Sequence, residues 1–81
     1  MKIHKSCKRS LFKIFSAFDF VGEGLTRREI VQRAGVATTT FSKNVFKLSM
    51  LGIIESSGAR PVVYRTIANE DYFRKVVKFY E

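Results

Sequence analysis

Residues 25–54, LTRREIVQRAGVATTTFSKNVFKLSMLGII, read as two helices joined by a tight turn at Gly35-Val36-Ala37, with a strand beginning at the end. Thr26-Arg27-Arg28-Glu29 opens the first of these helices as a capping box. In it the Thr hydroxyl and the Glu carboxylate each satisfy a backbone N–H that the first helical turn leaves without a partner. Ile30 and Ala34 supply the inward face, with Val31 beside them. Gly35 ends the helix where a left-handed backbone carries no Cβ strain. The second helix is expected over residues 38–51. There Phe41, Val45 and Leu48 share one face, with Leu51 and Thr40 at its margin. Thr39, Ser42, Lys43, Phe46 and Met50 point the other way, Lys47 lies on the flank, and Gly52 stops the helix.

Downstream, residues 53–56 and 62–67 are rich in β-branched side chains and read as the strands of a hairpin. Its tip is Ser57-Gly58-Ala59-Arg60-Pro61, where a proline has no ladder bond to donate. Asn69 then caps a last helix that is expected to run to 81, with Glu70 and Asp71 favourably placed in its first turn. Upstream, residues 7–20 are expected as a helix in which Cys7, Leu11, Ile14, Phe15 and Phe18 form one stripe and Lys8, Arg9, Lys13 and Ser16 face away. Phe12 lies beyond the edge of that stripe. Gly22 and Gly24 break the helix, leaving room for a strand contact of one or two residues at Leu25.

Composition limits what such a chain can be. Its 81 residues make one domain, of which about 60–65% of the unfolded surface can be buried. Eight Phe and a 46% hydrophobic content supply a core without metal or disulfide staples. The lone Cys7 cannot close an intramolecular bridge, and no zinc-type Cys/His cluster occurs. No apolar run approaches the roughly 20 residues that span a bilayer. The basic N-terminal tail, residues 1–5, leads into an amphipathic pattern rather than a signal-peptide core. A cytoplasmic protein is expected. Fifteen Lys and Arg against seven Asp and Glu give a formal charge of +8, an electrostatic footprint for polyanions.

Helix, short strand, helix, turn, helix, hairpin and final helix together resemble the winged helix-turn-helix domains of the MarR and ArsR regulator families. The likeness runs from about residue 6 to 80 and is sharpest over EIVQRAGVATTTFSKNVFKLSMLGII, where Ala34, Gly35, Val36, Phe41, Val45, Leu48, Leu51 and Gly52 fall at the family's spacing. GARPVVYRTI is similar to those families' wing and the strand returning from it. The resemblance implies a mainly α fold with a small β-hairpin, a winged helix-turn-helix. The helix-turn-helix would span 26–51, the wing 53–67 and the closing helix 69–81. It implies double-stranded DNA as partner and a small transcriptional regulator, a repressor, as function, with no cofactor.

It also implies the contacts. Thr38, Thr39, Ser42, Lys43 and Lys47 match the groove-facing positions of the recognition helix, and Arg60 matches the wing tip. Thr26, Arg27 and Arg28 stand where the preceding helix would cross the phosphate backbone. The chain departs from the family at Phe46, where a polar or basic residue is more usual; packing of Phe46 on the wing is expected instead. Lys and Arg would supply affinity through counterion release. The short hydroxyl side chains would meet phosphates and thymine methyls, and DNA shape would add preference.

Tyr72, Phe73, Val76, Val77, Phe79 and Tyr80 cover an arc of roughly 160° on the last helix, wider than one small core needs. Phe12, Tyr72, Phe73, Val77 and Tyr80 are therefore expected to meet across a two-fold axis in a homodimer. Such a dimer sets two recognition helices about 34 Å apart and calls for an inverted-repeat site. Catalysis finds no support: there is no Gly-rich phosphate loop, no paired carboxylates at useful spacing and no nucleophile with an identifiable base. His4 reads as a tail residue and Cys7 as a small hydrophobe. Two alternatives stay open, a protein–protein module of a transcription, replication or partition complex and a sequence-indifferent architectural nucleic-acid binder.

Overall fold

The computed structural model describes residues 5–80. Helix α1 (Lys5–Ser16), strand β1 (Gly24–Thr26), helices α2 (Arg27–Ala34) and α3 (Thr38–Met50), strands β2 (Ile54–Ser56) and β3 (Val63–Thr66) and helix α4 (Glu70–Phe79) follow in that order. Four helices thus pack with a small three-stranded antiparallel sheet, the element order expected from the sequence. His4 and the rest of residues 1–4, the side chain of Cys7 and the end of the chain at 81 lie outside the described residues. Lys5, expected in the tail, is already helical.

Local signals set the helix ends. Thr26 caps α2 in a complete capping box, its hydroxyl accepting from the Glu29 N–H at 3.3 Å while the Thr26 N–H donates to Glu29 Oε1 at 3.0 Å. Gly35 closes α2 in the left-handed region at φ 66°, ψ 37°. Asn69 caps α4, its Oδ1 accepting from the Tyr72 N–H at 2.8 Å. The end of α1 falls short of the expected residue 20. After Ser16 the chain tightens to i→i−3 bonds, Ala17 N–H to Ile14 O and Phe18 N–H to Phe15 O, which turns Ala17 and Phe18 into the core. Phe20 and Val21 are left exposed.

The sheet order is β1-β3-β2, so β3 is hydrogen-bonded on both sides. The contact expected at Leu25 is a full three-residue strand, pairing Gly24 with Arg65, Leu25 with Tyr64 and Thr26 with Val63. A Cβ at position 24 would come within 2.8 Å of Val63 Cγ1, so any larger residue there would have to displace the Val63 side chain.

Leu11, Ile14, Leu25, Ile30, Phe41, Leu48, Ile53, Ile54, Phe73 and Val77 make one buried cluster drawn from every helix and from β1 and β2. Val31, Ala34 and Val45 pack half-buried against it. Asn44 joins them on the inner face of α3. Its Nδ2 donates to Thr40 O at 2.8 Å, and its buried Oδ1 meets no donor among the described residues.

The aromatic surplus expected for a dimer is smaller than the helical wheel implied. Phe73 and Val77 are 0% and 1% exposed, inside the domain's own core, and so do not form an exposed surface. Phe73 stacks on Phe15 with ring centroids 4.3 Å apart and meets the edge of Phe12 at 4.8 Å. Phe12 is thereby half-buried, with the Arg74 guanidinium over its ring. The physical reason is that Phe12, beyond the edge of the α1 stripe, joins Phe15 in packing on Phe73, so that side of α4 is taken into the core. Tyr80 is also packed against the core. What α4 leaves exposed is Tyr72 and Phe79, seven residues apart on one face.

Candidate nucleic-acid interface

The site begins at one residue of sheet register. Thr26 ends β1, caps α2 and pairs with Val63 near the start of β3. That rung brings the first turn of α2 beside the tip of the hairpin. Thr26, Arg27, Arg28, Arg60, Pro61, Val62 and Tyr64 line an open-sided cavity there. Three guanidinium-bearing residues from segments 32 positions apart therefore share one concavity, and Arg27, Arg28 and Arg60 are all exposed. Planar guanidinium groups suit bidentate recognition of phosphate or carboxylate.

Thr26 does not act with these arginines as a free hydroxyl. It accepts from the Glu29 N–H and donates to the Glu29 carboxylate at 3.1 Å, so the cap occupies it. Glu29 in turn is held below the usual carboxylate range, first by the Thr26 backbone N–H and then by the Thr26 hydroxyl. The charge that Glu29 places beside Arg27 and Arg28 is thus fixed by the same contacts that start the helix.

The hairpin tip is built by Ser57. Its N–H donates to Val63 O at 2.8 Å and its Oγ accepts from the Val63 N–H at 3.0 Å. These bonds close the loop and leave Gly58, Ala59, Arg60 and Pro61 exposed. Tyr64, which also lines the cavity, rests edge-on against Phe41 of α3 at 5.3 Å.

Helix α3 supplies a second set of groups. Thr38, Thr39, Ser42 and Lys43 are exposed and Lys47 is half-buried. None of the five lines the arginine cavity, so the structure brings Thr26, Arg27, Arg28 and Arg60 together and sets the α3 residues on their own face. Thirteen residues give that face a length of about 20 Å. Helices α2 and α4 each have a side-chain cap, while Ala37 at the start of α3 makes no such bond. No acidic residue stands in the first turn of α3. Its leading N–H groups and the hydroxyls of Thr38 and Thr39 are suited to an anion.

Two features depart from the sequence expectation. Phe46 does not pack on the hairpin; it is 65% exposed, and Met50 one turn on is 64% exposed. The hairpin pairs with β1 beside α2 and its Tyr64 rests on the buried Phe41 face of α3, while Phe46 stands on the opposite face. Arg33 behaves differently from the other α2 arginines. Its guanidinium donates to Ala17 O at 3.2 Å and pairs with Glu23 at 3.2 Å and Asp19 at 3.6 Å, tying α2 to the segment after α1. A signal for this lies in the acidic residues at 19 and 23, which no cap of a helix explains.

Among the described residues no group of three His, Cys, Asp or Glu side chains could hold a metal ion, and no helix is long and apolar enough to cross a membrane. No protein-family model, curated protein or solved structure matches this chain.

Proposed function

We propose that the chain is a winged helix-turn-helix that binds double-stranded DNA with sequence preference and acts as a small transcriptional repressor by occupying a promoter. The observation that carries this is the cavity in which Arg27 and Arg28, at the start of α2, meet Arg60 of the hairpin. In the proposed complex these three residues hold phosphates on either side of a groove, and α3 lies in the adjoining major groove. The net charge of +8 and the α3 face of Thr39, Ser42 and Lys43 support the same arrangement. The proposal includes a two-fold dimer, now built on the exposed Tyr72 and Phe79 of α4 with Tyr80 and Phe12 at its rim, and an inverted-repeat site.

Selection of bound duplexes from a random pool tests it. Recovery of one inverted-repeat motif is expected. Thr39→Ala and Ser42→Ala should change the motif, while Lys47→Ala should weaken all duplexes about equally. A selected pool that matches its input would refute sequence-specific binding.

A further inference from the structure

We infer that Phe46 and Met50 read the C5-methyl groups of pyrimidines in the major groove, so that the apolar centre of α3 is a methyl sensor; this rests on the DNA reading above. The two side chains stand four residues apart on one face of α3 and are each about two-thirds exposed. Among the described residues neither packs against the core, although the same helix buries Phe41 and Leu48 fully. Their surroundings are polar: Thr39, Ser42 and Lys43 precede them on that face and Ser49 adjoins Met50, all exposed.

An apolar pair inside a polar, basic face limits what it can meet. On the base edges of the major groove the groups are hydrogen-bond donors and acceptors, apart from the small C5–H of cytosine and the C5-methyl of thymine, and only the methyl projects as an apolar knob. Phe46 and Met50 can neither donate to nor usefully accept from those edges, so over an unmethylated base they would strip water from polar atoms and return no bond. Over a methyl they bury apolar surface on both sides. The phenyl ring also has few rotamers to lose on docking, and the thioether adapts to an uneven floor. Thymine and 5-methylcytosine present the same methyl, and the groups on this face do not choose between them.

Four defined probes decide the matter: an alternating A·T duplex, the same duplex with deoxyuridine for thymidine, an alternating G·C duplex, and the same duplex with 5-methylcytosine. Uracil differs from thymine only in the missing methyl. The wild type should bind the methylated member of a pair more tightly, by about fourfold for each methyl covered. A response in the thymine arm assigns the contact to A·T pairs, and one in the cytosine arm assigns it to methylated cytosine. Phe46→Ala and Met50→Ala should bring the two members of the pair to equal affinity, and Phe46→Leu should restore part of the difference. Both positions are exposed, so thermal unfolding of the variants should match the wild type. Equal binding of both members of each pair by the wild type overturns the methyl reading and leaves DNA binding standing. So does a difference that survives in the double variant, which would assign the methyl to Thr38 or Thr39. Failure to bind any of the four at low salt overturns the DNA reading as well.

Discussion

Replacing Arg27, Arg28 and Arg60 together with alanine should flatten the salt dependence of duplex binding. The three residues share one cavity and all are exposed, and no carboxylate among the described residues forms an ion pair that would already neutralise them. Removing one phosphate-binding side chain takes about 0.9 from the slope of log affinity against log salt, so the triple variant should fall short by about 2.7 per subunit. Between roughly 50 and 200 mM salt the wild type should therefore weaken by a factor about 40 larger than the variant does for each bound subunit, or about 1,800 for the proposed dimer. Fluorescence anisotropy of a labelled duplex across a salt series measures both slopes. The comparison that isolates geometry from net charge is a second triple variant, Arg9, Lys75 and Lys78 to alanine, which removes equal formal charge from α1 and α4 outside the cavity. Its slope should stay close to that of the wild type. Two triple variants with the same slope would mean that diffuse charge, rather than this cavity, attracts DNA.

Other outcomes follow from particular contacts. Thr26→Ala should cost about 1 kcal/mol of stability by denaturant unfolding, through loss of the α2 cap. Glu29 has its carboxyl lowered in the folded state, so its contribution is present above the ordinary Glu value of about 4.3 and is lost as pH falls through the folded value. The stability gap between wild type and Glu29→Gln should accordingly close in acid; a gap that persists unchanged at about pH 2 would contradict the linkage. Asn44→Leu removes a buried acceptor without a described donor and should stabilise the domain by about 1 kcal/mol, read as a raised Tm. The wild type should sediment as a dimer at tens of micromolar and Phe79→Glu as a monomer; a monomeric wild type would remove the dimer from the proposal.

What is legible in the sequence is mostly what depends on near neighbours. The capping box at Thr26, the Asn69 cap and the left-handed Gly35 each involve residues within about four positions, so their chemistry can be read directly. The inward faces of α2 and α3 follow from helical period for the same reason. Non-local choices are hidden. A helical wheel shows Phe73 as apolar without saying which helix will cover it; the Phe12 and Phe15 rings of α1 do so. Asn44 escapes any reading that counts only apolar residues toward the core, although it stands three residues from Phe41 and four from Leu48. Of the candidate contacts, Arg27, Arg28 and Arg60 are each visible, but their common cavity depends on β1 pairing with β3 and cannot be read from spacing.

The Thr26–Val63 rung has a mechanical consequence. Arg27 and Arg28 leave one end of it and Arg60 stands three residues from the other, so the gap between the helix start and the hairpin tip is set by a ladder hydrogen-bonded within the domain. With β3 held by β2 on its far side, the base of that gap is anchored in the sheet. The two sides thus share one anchored base, with Arg60 carried beyond it on the exposed loop. The proposed phosphates would have to match a spacing whose base is laid down by the sheet and not by the helix alone.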